Sequence, residues 1–151
     1  MTPIGLVAEG PTDIAALRKL LETEGLQPGS VYLGDGGTKR GKHNLDARIA
    51  SYAEAARRGT PIAILRDLDD DAPCAGDLIQ KLVSDRPDLL FFRIAVVELE
   101  AWLVAERELF ANHIGVSISR LPREPEKTGK IRPAILGAAP HSKLRDVIPI
   151  V

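Results

Sequence analysis

Apolar and polar positions along the chain alternate between two rhythms. Residues 3–8 are almost continuously apolar and stop at Gly10-Pro11, which predicts a short buried strand. Ile14, Leu17, Leu20 and Leu21 then recur at helical spacing as far as Gly25, with Thr12 available as an N-cap and Asp13 as a first-turn acid. Residues 30–33 predict a weaker strand. A loop from Gly34 to His43 follows, after which Asn44 can cap a second helix carrying Leu45, Ile49, Tyr52, Ala53 and Ala56 on one side and ending near Gly59. Residues 61–66 predict the most buried strand. Leu78, Ile79, Leu82 and Val83 predict a third helix that stops before Pro87.

The β-branched and aromatic run from Leu89 to Val97 predicts a fourth strand. Residues 98–110 predict a helix with Leu99, Trp102, Leu103 and Leu109 as candidate core contacts. The order β-α-β-α-β-α-β-α predicts an α/β fold, a mainly parallel four-stranded sheet flanked by helices. Beyond Asn112, prolines 122, 125, 133, 140 and 149 interrupt any long element. Residues 1–111 therefore read as the folded domain and residues 112–151 as an irregular C-terminal extension with short helices at best.

Composition narrows the setting. A net charge of -1 leaves any nucleic-acid or membrane attraction to local patches. One cysteine, Cys74, excludes an internal disulfide framework and a cysteine-rich metal site. No apolar stretch approaches the ~20 residues that span a bilayer, and Met1 leads into strand-like sequence without a leader pattern. The expectation is a cytoplasmic protein without membrane contact. An aromatic content of 4% argues against a base-stacking platform.

The densest chemistry lies after the third strand, in Arg66-Asp67-Leu68-Asp69-Asp70-Asp71. In an extended chain Asp67 and Asp69 point the same way, and Asp71 joins them if the extension continues. Closely spaced carboxylates at a strand end are costly unless a cation neutralises them, which points to a hard metal such as Mg²⁺, or Mn²⁺. An acidic turn capping the next helix accounts for one such acid, but not for four. Glu9 ends the first strand in the same manner, and serves there as a general acid or base or as a further ligand.

Glu98 and Glu100 follow the fourth strand. Two helical positions two apart lie roughly 200° around the axis, so either Glu98 still belongs to the strand end or one of the pair is not at the site. The loop before Asn44 mixes glycines with Lys39, Arg40 and Lys42, which suits phosphate contact as well as plain solvation. It lacks the spacing of a P-loop.

These motifs resemble a known family. Leu6-Val7-Ala8-Glu9-Gly10-Pro11-Thr12-Asp13 looks like the EG-x-T-[DE] opening of a Toprim domain, and Leu65-Arg66-Asp67-Leu68-Asp69 like its D-x-D motif. The segment from Val97 to Glu106 is similar to the ELEAWLLAD-type stretch of a small stand-alone Toprim family of unknown function, related to overcoming-lysogenization-defect nucleases. The resemblance covers residues 3–110 and implies a Toprim-like, Rossmann-like fold and an Mg²⁺-dependent nuclease acting on DNA or RNA. It implies Glu9, Asp67 and Asp69 as catalytic acids, with Asp71, Glu98 and Glu100 as further metal ligands. Gly10, Lys39, Arg40 and Lys42 would contact phosphate, and a separate ATPase partner or a homodimer would complete the assembly. Two other readings stay open: a non-catalytic metal-binding module that docks a partner, and an aspartate-dependent phosphatase using Asp67 as nucleophile.

Overall fold

The structure, a computed structural model, describes residues 2–33 and 41–138. Lys39 and Arg40 therefore lie outside the described residues. Two compact units divide the chain, Met1–Ile94 and Ala95–Val151. Among the described residues no helix is long and apolar enough to cross a membrane.

The first unit is built on four parallel strands, β1 (Ile4–Ala8), β2 (Pro28–Leu33), β3 (Ile62–Asp67) and β4 (Leu90–Ala95), in the order β2-β1-β3-β4. The expected α/β architecture is what the chain adopts. Continuous burial explains the two central strands: every residue of β1 is buried, as are Ile62 to Arg66 of β3. β2 lies at an edge and leaves Val31 and Tyr32 exposed. The register pairs Val7 with Ile64 and Ala8 with Leu65, so Glu9 leaves β1 level with Arg66.

Helix α1 (Pro11–Thr23) follows β1. Its N-cap is Gly10 rather than Thr12, because Pro11 fits the first helical position and Asp13 accepts the Gly10 N–H at 2.9 Å. The single helix expected after Asn44 is two: α2 (Gly41–Asp46) and α3 (Ile49–Arg57). Asn44 lies inside α2 rather than at the start of a helix. The break at Ala47-Arg48 lets α2 hold its own contacts at the sheet end while α3 buries Ile49, Tyr52, Ala53 and Ala56. Helix α4 (Ala75–Leu82) buries Leu78 between β3 and β4 in the chain order.

The second unit has its own core of Ala101, Val104, Ala111, Ile114, Leu121, Ile131, Ile135 and Ala138. Three helices supply most of it: α5 (Glu100–Ala105), α6 (Arg107–Ile114) and α7 (Ile131–Ala138). The helix expected over residues 98–110 is broken at Glu106, whose φ -91 and ψ 72 are not helical. That break turns Leu109 outward, 69% exposed, and Leu103 is exposed as well; the small Ala101 and Ala111 face the core in their place. α7 forms despite Pro133 because the proline falls in the first turn, where its missing N–H costs no helical bond. The unit boundary thus precedes the one read from the prolines, since α5 and α6 share a core with α7.

Replacing Ile135, fully buried in this core, by alanine is expected to cost about 3 kcal/mol by chemical denaturation. A loss under about 1 kcal/mol would show that α7 is not packed as described.

Candidate functional site

An arginine inside the most buried strand sets the local geometry. Arg66 is 2% exposed, and a guanidinium so placed requires carboxylate partners. It finds Asp46 at the end of α2 through two bonds, Nε to Oδ1 at 2.8 Å and Nη2 to Oδ2 at 2.9 Å. Nη2 also donates to Asp71 Oδ2 at 2.7 Å, and Nη1 donates to the carbonyl of Asp67. Burial alone would lower its proton affinity, but the bonds to Asp46 and Asp71 outweigh it and hold the charge firmly on. One side chain therefore ties β3, α2 and the turn after β3 together.

That turn is not extended. β3 ends at Asp67, the Asp71 N–H donates to the Leu68 carbonyl at 3.2 Å, and Asp69 takes φ 46. Aspartate is among the few residues that tolerate this left-handed region. The alternation expected to align Asp67, Asp69 and Asp71 is thus lost after Asp67. Asp69 and Asp71 converge nonetheless, because Lys42 Nζ lies 3.0 Å from an oxygen of each. The Arg66 bond is the main cause holding the Asp71 carboxyl below its ordinary range, with Lys42 assisting. Desolvation pulls on the Lys42 ammonium, yet Asp69 and Asp71 raise its proton affinity overall.

Glu9 sits at the end of β1 with Oε1 accepting the Asp67 N–H at 3.3 Å. Burial pushes its pKa up to about 7 from an ordinary 4.5, against the opposing pull of Arg66 and the Asp67 N–H and with help from Asp13 and Asp69. Gly41 explains how α2 comes so close: a Cβ at that position would stand 3.1 Å from the Glu9 carbonyl oxygen. The Gly10 amide is occupied by Asp13, so its part in phosphate contact would require that bond to open.

Among the described residues no three His, Cys, Asp or Glu side chains are gathered around one point fit for a metal. Glu9, Asp67 and Asp69 carry oxygen donors of the type a hard cation takes, but they form no ready-made ligand cage. Mg²⁺ commonly uses one or two carboxylates and takes its remaining oxygens from water and substrate phosphate. A half-buried carboxylate whose charge is poorly compensated is where such a cation would be favoured.

Glu98 and Glu100 act within the second unit. Glu98 Oε1 accepts the backbone N–H groups of Ile131 and, at 2.6 Å, Arg132, which caps the start of α7. Glu100, 2% exposed, accepts from Arg132 Nε at 2.7 Å. The chain turns sharply between β4 and α5: Glu98 N–H donates to the Val96 carbonyl at 3.1 Å across Val97, whose φ is 64. That is a strained conformation for a β-branched residue. Trp102 is partly exposed and lines a surface groove with Ala105, Pro125 and Lys127, rather than filling the core.

Sequence reasoning missed the Arg66–Asp46 pair. The signal was present, since a charged residue within Ile62-Ala63-Ile64-Leu65-Arg66 has no water to turn to. No family model, curated protein or solved structure matches the chain.

Two outcomes test this geometry. Arg66→Met leaves Asp46 and Asp71 without their buried partner and is expected to cost about 3 kcal/mol in chemical denaturation, with Arg66→Lys recovering only part. Glu9 binds its proton more tightly folded than unfolded, so its contribution falls as pH rises from about 4.5 to about 7. With chelator present, Glu9→Gln should therefore gain stability over wild type between about pH 5 and about pH 8, on the order of 1–3 kcal/mol. A pH-independent difference between the two proteins would refute the burial of Glu9.

Proposed function

We propose that the chain is a Toprim-like, divalent-metal-dependent hydrolase of nucleic-acid phosphodiester bonds. One observation carries the reading. Glu9 and Asp67, 58 residues apart in sequence, meet at the carboxyl ends of the two central parallel strands. The connection leaving β1 runs to β2 on one side and the connection leaving β3 runs to β4 on the other, so this is the point where strand order reverses. Open α/β sheets bind their ligands at such points. The order of the two sequence motifs, each at a strand end, supports the same reading.

When bound at Glu9, Asp67 and Asp69, a divalent cation would supply Lewis-acid polarisation of the phosphoryl oxygens. The chain's own groups divide the remaining work. Glu9, at the same strand ends, takes the proton of the attacking water in the role of general base. Asp67 is held in place by its own backbone, whose N–H is fixed to Glu9 and whose carbonyl is fixed to Arg66. Lys42 presents a cation for the phosphate backbone, a contact that positions substrate without reading sequence. The ATPase partner implied by the resemblance and the cytoplasmic setting expected from composition belong to this proposal too.

Purified protein with Mg²⁺ or Mn²⁺ is expected to cleave DNA or RNA in a gel assay. Glu9→Gln, despite the gain in stability expected of it, and Asp67→Asn, still folded, are each expected to lower the rate by about 100-fold or more. Absence of cleavage by the wild type on both nucleic acids, or equal cleavage by the variants, contradicts the reading.

A further inference from the structure

We propose that a groove in the second unit, floored by α5 and walled by the 3-10 turn Pro125–Lys127, takes an arginine side chain from a partner protein. Trp102 stacks on the guanidinium and Glu126 neutralises it. The groove stands independently of the hydrolase reading.

The shape of the groove follows from α5. Ala101 and Ala105, four apart, share one side of that helix and leave room beside Trp102 that larger side chains would fill. Ala101 and Val104 enter the core of the unit, and the chain's one tryptophan stays partly exposed. The other wall is held by its own backbone. The Glu124 carbonyl accepts the Lys127 N–H at 3.1 Å and the Thr128 hydroxyl at 2.6 Å, and Pro125 restricts the chain between them. A volume of about 320 Å³ lies at the small end of ligand sites, room for one large side chain rather than for a cofactor.

Charge selects the occupant. Two acids and one base line the groove. Lys127 Nζ already lies 2.9 Å from Glu124 Oε1, whereas Glu126 makes no ion pair among the described residues. One uncompensated negative charge therefore stands beside an aromatic ring. An indole face draws positive charge and a carboxylate neutralises it, so the pair attracts a cation. The same charge disfavours phosphate and acidic peptides. Arginine suits the site better than lysine, because a guanidinium is planar, stacks on aromatic faces and sheds water more readily than an ammonium. Tryptophan and arginine are also among the residues that most often anchor protein interfaces.

Because Trp102 is the single tryptophan, its fluorescence reports the groove directly. The full chain is titrated with an acetylated, amidated pentapeptide that carries one arginine between pairs of alanines. A saturable change is expected, half-complete at about 1 mM. The same peptide with citrulline, similar in shape but uncharged, should bind about tenfold more weakly or worse. Glu126 is exposed, so its variants keep the fold: Glu126→Gln should weaken the arginine peptide about threefold and Glu126→Lys about tenfold. No saturable change with the arginine peptide, equal binding of the citrulline peptide, or undiminished binding by Glu126→Lys overturns the proposal. Tighter binding of a proline or glutamate peptide, or a fluorescence change on concentrating the protein alone, gives the groove another occupant and overturns it as well.

Discussion

The buried guanidinium of Arg66 is the constraint on which the sheet end depends. A charge with 2% of its surface in water, inside a strand packed on both sides, is tolerable only with carboxylates at bonding distance. Asp46 answers from α2 and Asp71 from the turn after β3. Those two bonds decide where α2 lies, and α2 in turn brings Lys42 to the acids and Gly41 against Glu9. Removing the arginine would loosen three elements at once.

The same arginine offsets only part of the cost of burying Glu9. Arg66 attracts Glu9 but is bonded to Asp46 and Asp71, and the remaining help for Glu9 is one backbone N–H. Its pKa rises to about 7 for that reason. An acid near neutrality, at the point where strand order reverses, is what the proposed hydrolysis asks of a proton acceptor. The turn after β3 contributes differently: Lys42 pairs with both Asp69 and Asp71, and Arg66 holds Asp71 as well.

Much of the fold was legible in the sequence, and the reasons for the misses are local. Continuous apolar runs located β1 and β3, and the positions of Glu9 and Asp67 at their ends followed directly. The adjacency of those strands is tertiary and came only with the structure. The turn was misread because alternation assumes an extended chain, and Asp69 leaves it at φ 46. The bonding partners of Glu98 and Glu100, Ile131 and Arg132, lie far along the chain in a helix that Pro133 concealed. Helical periodicity named Leu109 as a core residue; the break at Glu106 shifted the phase and turned it to solvent.

The central claim is that Glu9 and the acids at the end of β3 share a divalent cation. Anomalous diffraction from crystals soaked in Mn²⁺ examines it most directly. The account predicts a manganese peak at about 2 Å from carboxylate oxygens of Glu9 and of Asp67 or Asp69. A crystal that takes up manganese elsewhere, with Glu9 still on the Asp67 N–H, would contradict it.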